Sequence, residues 1–117
     1  MRARAVATVP DATMVRVNDI PQVTDNQAES RFELRYDGRL AELSYRQNGK
    51  RLVLIHTEVP VELEGHGIGG RLVAAAIDRA AQEGMTLVPL CPFARSWLER
   101  HAEAAGQAAI DWGDGVI

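Results

Sequence analysis

Four glycines in six residues, Gly65-His66-Gly67-Ile68-Gly69-Gly70, constrain this chain more than any other stretch. Glycine reaches left-handed backbone conformations and lets another group approach without a Cβ in the way. Immediately behind the run, Leu72, Val73, Ala76, Ile77 and Ala80 recur at helical spacing, with Arg71, Asp78, Arg79, Gln82 and Glu83 largely off that stripe. The pattern predicts an amphipathic helix, and Gly84 is placed to end it. The first amides of such a helix have no partner within it. With the helix dipole they attract an anion by roughly 0.3–2 kcal/mol for a single charge. A diphosphate is the natural guest. The competing reading is a tight turn whose glycines only permit packing.

Two familiar phosphate loops do not fit. Gly65, Gly67 and Gly70 satisfy G-x-G-x-x-G, but a dinucleotide fold needs an acidic residue about 20 positions on and further βαβ units. Around that position stands Leu87-Val88-Pro89-Leu90-Cys91, without an acid, and few residues follow. A Walker loop ends in Lys-Ser or Lys-Thr, whereas Arg71-Leu72 follows here.

Upstream, Phe32-Glu33-Leu34-Arg35-Tyr36 alternates apolar and polar residues, and Asp37-Gly38 is a hairpin turn signal. Leu40 to Arg46 alternates again, with Ala41, Leu43 and Tyr45 on one face; Asn48-Gly49 then precedes a third run, Arg51 to Val59. An antiparallel meander is expected. Pro60 cannot donate to a ladder, so it marks a bulge, an edge or a strand end. Downstream, Met85 to Leu90 reads as a buried strand. Pro92 opens a second helix with Phe93, Trp97, Leu98 and Ala102 inward and Gly106 as its stop. The order implies an α/β layered domain with a mixed sheet: the meander, then a strand–loop–helix–strand–helix unit. Residues 51 to 91 would form a right-handed parallel crossover.

The domain is expected over residues 31–105. Residues 1–30 carry scattered turn formers and read as an N-terminal arm, with Met14-Val15-Arg16-Val17 as a short strand; residues 106–117 form a tail with apolar anchors. A chain of 117 residues supports one sizeable core. Its net charge of −3 and interleaved arginines argue against nucleic acid, which needs a clustered basic face. Cys91 is the only cysteine, so no disulfide forms within the chain, as suits a reducing compartment. The longest apolar run, Leu72 to Ile77, is too short to span a bilayer. Neither a membrane nor a signal peptide is expected, and a cytoplasmic location is. His56, His66, His101 and Cys91 are not spaced as metal ligands.

The run Glu64-Gly65-His66-Gly67-Ile68-Gly69-Gly70-Arg71-Leu72 resembles the acetyl-CoA motif of GNAT N-acetyltransferases. His56-Thr57-Glu58-Val59-Pro60 before it and Cys91-Pro92-Phe93 after it resemble the short, one-domain, YjdJ-type branch of that family. The resemblance spans about residues 32–103. It implies a GNAT-like fold and an acetyl-CoA-dependent transfer of acetyl to a primary amine of a small molecule or protein. It further implies that the strand ending at Val59-Pro60-Val61 splays from the Met85–Leu90 strand, with pantetheine in the gap, bound by Val59, Pro60 and Val61 and paired with free backbone groups near Val59 and Val61. Residues Glu64, Gly65, His66, Gly67, Ile68, Gly69 and Gly70 would then hold the pyrophosphate. Glu64 departs from the usual Gln or Arg. A carboxylate disfavours a pyrophosphate, so its side chain should point away.

Acetyl transfer needs an unprotonated amine, stabilisation of an oxyanion and a proton for the departing thiolate. Many family members supply that proton from a tyrosine opening the last helix, but Tyr36 and Tyr45 both lie in the meander. Cys91 stands in the neighbourhood as proton donor, as acetyl acceptor or as an inert buried residue. Strand alternation puts His56 on the face of Leu52 and Leu54, either as a core histidine or as general base for the amine. His66 matters through its backbone, and His101, four residues after Trp97, reads as structural. Other readings are an acyl-CoA-binding module with little catalysis and a scaffold using its arm for protein contacts. Either a monomer or a homodimer is compatible.

Overall fold

A computed structural model describes residues 21–113. The short strand expected at Met14–Val17 lies outside them. Six strands form one mixed sheet in sequence order: β1 Thr24–Asn26, β2 Arg31–Tyr36, β3 Arg39–Asn48, β4 Arg51–Glu58, β5 Thr86–Pro89 and β6 Ala109–Ile110. β1 to β4 pair antiparallel, and β4, β5 and β6 pair parallel. Helix α1 spans Ile68–Glu83, α2 Pro92–Arg100 and α3 Ala102–Ala105.

The hairpin signals act as their residues require. Asp37 and Gly38 take φ of 54° and 76°, the doubly left-handed turn that suits the twist of a two-residue hairpin. The second turn is centred one residue later than expected, on Gly49-Lys50, because Asn48 pairs with Arg51 as the last rung. β1, inside the segment read as an arm, joins the sheet edge, and β6, inside the segment read as a tail, extends the other edge. Strands of two or three residues carry too little alternation to be read from sequence.

Both parallel crossovers step the same way across the sheet, so right-handedness puts α1 and α2 on one face. Between sheet and helices lies the core: Phe32 and Leu34 of β2, Leu43 and Tyr45 of β3, Leu52 and Leu54 of β4, against Leu72, Val73 and Ile77 of α1. Gly84, at φ 66°, ends α1, and Ala80 O accepts from both Gly84 N and Met85 N. The helix expected from Pro92 to Gly106 is broken at His101, whose φ and ψ are −124° and 63°. Its buried residues are Ala94, Leu98 and Ala105, while Phe93 and Ala102 are exposed and Trp97 half-buried.

Arg79, expected on the solvent face of α1, is instead buried. Its Nη1 donates to Asp25 Oδ2 at 3.2 Å and to the Tyr45 hydroxyl at 3.1 Å; its Nη2 donates to Gln47 Oε1 at 2.7 Å. Tyr45 OH donates to Asp25 Oδ1 at 2.6 Å. The guanidinium thus clamps edge strand β1 to α1 and β3. A buried charge is tolerated when paired and hydrogen-bonded, a condition that helical periodicity cannot reveal.

The glycine run divides into two pairs. Gly65 and Gly67 carry φ of 89° and 73°, and a Cβ there would meet nothing within 4 Å. Gly69 and Gly70 are helical, and they are small for a different reason. A Cβ on Gly69 would come 2.7 Å from Phe93 Cζ, and one on Gly70 2.5 Å from Trp97 Nε1. The second pair therefore lets α2 pack directly on the first turn of α1.

Three outcomes follow from this packing. Replacing Gly70 by Ala should destabilise the native protein by about 1–3 kcal/mol through overpacking. In a Trp97→Ala background the same change should stabilise, by up to about 1 kcal/mol, because Ala is the better helix former; urea unfolding of both pairs checks the reversal of sign. Arg79→Met should cost about 3 kcal/mol by leaving Asp25 without its cation, read the same way. Burial, then the hydrogen bond to Asp25, pushes the Tyr45 hydroxyl up to about 12. A raised folded-state value gives stability that is present below the unfolded value of about 10 and lost as pH rises through 12. Stability measured against pH should fall across that window, and Tyr45→Phe should remove that part of the fall.

Candidate active site

The site begins where β4 and β5 part. Their parallel pairing runs from Arg51 with Thr86 to Leu54 with Pro89. Leu54 O then accepts from both Leu90 N at 3.0 Å and Cys91 N at 2.9 Å. Beyond it β5 turns into α2, with Cys91 as the N-cap, while β4 continues to Glu58 beside β3 alone. Among the described residues, the edge of β4 from Ile55 onward thus has no neighbouring strand on the β5 side. This is the splay that the resemblance implied.

A bulge falls at the same place. Tyr45 pairs with Leu54 and Ser44 with His56, which leaves Ile55 as an extra residue on β4. An extra residue reverses the alternation beyond it. Thr57, opposite the buried Leu43, therefore takes the helix-side face, and His56, opposite Ser44, takes the other. Simple alternation assigned His56 to the face of Leu52 and Leu54, and the bulge overturns that. Its side chain is 66% exposed, with Nε2 3.5 Å from Glu58 Oε1. Cys91, buried at 2% exposure, instead meets Thr57, Sγ to Oγ1 at 3.1 Å. His56 and Cys91 are not hydrogen-bonded to each other.

A cavity of about 890 Å3 opens from this gap, within the range of small-molecule sites. His56, Thr57, Glu58 and Val59 border it from β4 and its exit, and Glu64, Gly65 and Gly67 from the loop. Ile68, Gly69 and Gly70 border it from the first turn of α1, and Phe93 and Trp97 from α2. Among the described residues no side chain caps the amides at the N-terminus of α1, and no acid sits in the first turn. The first intrahelical bond there is from Arg71 N to Gly67 O at 3.1 Å. The amides of Ile68, Gly69 and Gly70 precede that bond, at positions with no acceptor inside a helix. α2 opens beside α1, since Phe93 abuts Gly69.

Three of the residues assigned to cofactor binding do not line the cavity. Pro60 and Val61 enter a 3-10 turn, Val61–Leu63, whose carbonyls are engaged internally: Pro60 O accepts from Leu63 N and Val61 O from Glu64 N. Val61 is 71% exposed. His66 is exposed and stands off the cavity. Sequence reasoning missed Thr57, because nothing marks a bulge at Ile55. It took Phe93 and Trp97 for core, although their four-residue spacing behind Pro92 already put them on one face. Arg71 and Arg100 also line the cavity. Arg71 carried a signal, a cation directly behind the last glycine.

The sequence profile of the GCN5-related N-acetyltransferase family matches residues 31–107, more than half of the chain. The fold also matches the solution structure of a GCN5-like protein from Staphylococcus aureus, with a TM-score of 0.60 and 24% identity, over 80% of this chain and 94% of that one. At that identity the likeness carries the fold. With the profile match over most of the described residues, the chain belongs to the GCN5-related N-acetyltransferase family.

Proposed function

We propose that the protein transfers an acetyl group from acetyl-CoA to a primary amine of a small molecule or protein. One observation carries the donor assignment: the uncapped first turn of α1 opens into a cavity continuous with the β4–β5 gap. The residues suit a pyrophosphate. Gly65 and Gly67 leave open space where a Cβ would stand, so a phosphate can approach the backbone. The amides of Ile68, Gly69 and Gly70 then supply donors aligned with the helix dipole. Val59 and the unpaired edge of β4 suit a chain that carries amide groups, as pantetheine does. When bound, acetyl-CoA supplies an activated acyl carbon in its thioester.

The two faces of the sheet divide the labour. Donor groups lie on the helix side, where Thr57 lines the cavity and Cys91 is buried behind it, Sγ to Oγ1 at 3.1 Å. His56 and Glu58 lie on the opposite face and also border the gap. An amine arriving from that open face meets the imidazole first. His56 takes the proton that the amine loses as its nitrogen attacks the acyl carbon, with Glu58 beside the imidazolium that forms. As the carbon–sulfur bond breaks, Cys91 Sγ–H gives a proton to the departing thiolate, and Thr57 Oγ1 orients that thiol. General acid and base steps of this kind contribute roughly 10²–10⁴-fold each.

A second reading, an acyl-CoA-binding module with little catalysis, is favoured by one observation. Cys91 is 2% exposed and Tyr45 is held by Asp25 and Arg79, so neither offers a readily accessible proton.

Calorimetry with acetyl-CoA should show saturable binding, and an absence of heat at millimolar ligand would reject the donor assignment. Thiol release in the presence of an amine panel then separates the two readings. Cys91→Ser and His56→Ala should each lower turnover by at least about tenfold while leaving donor affinity nearly unchanged. Unchanged turnover in both would remove these residues from the chemistry, and tight binding without transfer to any amine would establish the binding module.

A further inference from the structure

The cavity has an outer end that a thioester and a pyrophosphate leave unexplained. Beyond the glycine turn, Arg71 and Ala74 of α1 line it on one side, and Trp97 and Arg100 of α2 on the other. Residues three apart on a helix share a side, so each pair presents one surface to the same space. Each wall therefore carries an arginine. The acidic residues among the lining, Glu58 and Glu64, belong to the end of β4 and to the loop instead.

Arg100 is the more telling of the two cations. Its Nη1 donates to Ser96 Oγ one turn back, and no carboxylate ion-pairs it among the described residues. Arg71 has a partner, since its Nη2 donates to Pro21 O at 3.3 Å. A cation in the last turn of a helix is favoured by the dipole, which accounts for a positive residue at position 100. That preference does not explain why the side chain lines a cavity with a second arginine on the other wall. A planar guanidinium matches phosphate oxygens two at a time.

We propose that Arg100, with Arg71 on the opposite wall, binds the 3′-phosphate of the donor nucleotide. The inference rests on the coenzyme A reading above and deepens it. A terminal phosphate monoester carries about −1.5 to −2 charge at neutral pH. The pyrophosphate lies at the first turn of α1, and the nucleotide continues outward along the groove between α1 and α2. The donor class is then a free, 3′-phosphorylated coenzyme A thioester. Donors without that phosphate are disfavoured, including acyl groups borne on the phosphopantetheine arm of a carrier protein.

Calorimetry with coenzyme A, 3′-dephospho-coenzyme A and 4′-phosphopantetheine tests this. The unmodified protein should bind coenzyme A about tenfold more tightly than the dephosphorylated form, the value of one charge-assisted hydrogen bond. Phosphopantetheine should bind more weakly than either. Arg100→Gln should lower affinity for coenzyme A to near that of the dephosphorylated ligand and leave the latter within about twofold of its original value. Arg100→Lys should restore part of the difference. Equal affinity of the unmodified protein for the two nucleotides overturns the inference, whatever the variants do. So does an equal loss for both ligands in Arg100→Gln. In either case coenzyme A still binds and the donor reading survives, whereas no binding of any of the three removes that reading itself.

Discussion

Leu54 holds the last point at which β4 and β5 behave as neighbours, and the site depends on what happens there. Its carbonyl oxygen takes both Leu90 N and Cys91 N, so the ladder closes on one acceptor instead of running on. β5 then leaves for α2 while β4 continues, and the backbone edge between them is left without a strand partner. The bulge at Ile55 falls at the same rung and turns the rest of β4 over. Had β4 run straight, His56 would face the helix layer and Cys91. With the bulge, Thr57 does, and His56 is carried to the far face beside Glu58.

The helix layer completes the cavity through a second constraint. Two glycines of one loop have left-handed backbones, and the next two are helical residues that leave room for aromatic rings. The glycine run is therefore a turn at Gly65 and Gly67 and a packing surface at Gly69 and Gly70, and the anion cradle we propose uses the amides between them and the helix. Because Phe93 and Trp97 sit against Gly69 and Gly70, the start of α2 is fixed relative to the amides of α1. Arg79 anchors the other side of α1 through Asp25 and Tyr45. One helix is thus held by aromatic contact at its N-terminus and by a buried ion cluster near its C-terminus.

Most of the architecture was legible where local chemistry dictates it. Asp37-Gly38 could only be a hairpin turn, the Leu72–Ala80 stripe only an amphipathic helix, and Gly84 its stop. The glycine turn ahead of that helix was legible for the same reason, since Gly65 and Gly67 take left-handed backbones. What escaped was set by tertiary pairing. The bulge at Ile55 follows from the register between β3 and β4, which no single strand encodes. Burial of Arg79 needed Asp25, 54 residues away in sequence, to supply its counter-charge. The break at His101 and the two short edge strands lie below the length at which periodicity speaks.

The claim under all of this is that the first turn of α1 grips a doubly charged linker at the mouth of the β4–β5 gap. Backbone amide resonances followed by NMR during titration with coenzyme A test it most directly. The account predicts the largest changes at Ile68, Gly69 and Gly70, with smaller ones at Thr57 and Val59. Saturable changes elsewhere, with those three amides unmoved, would contradict it.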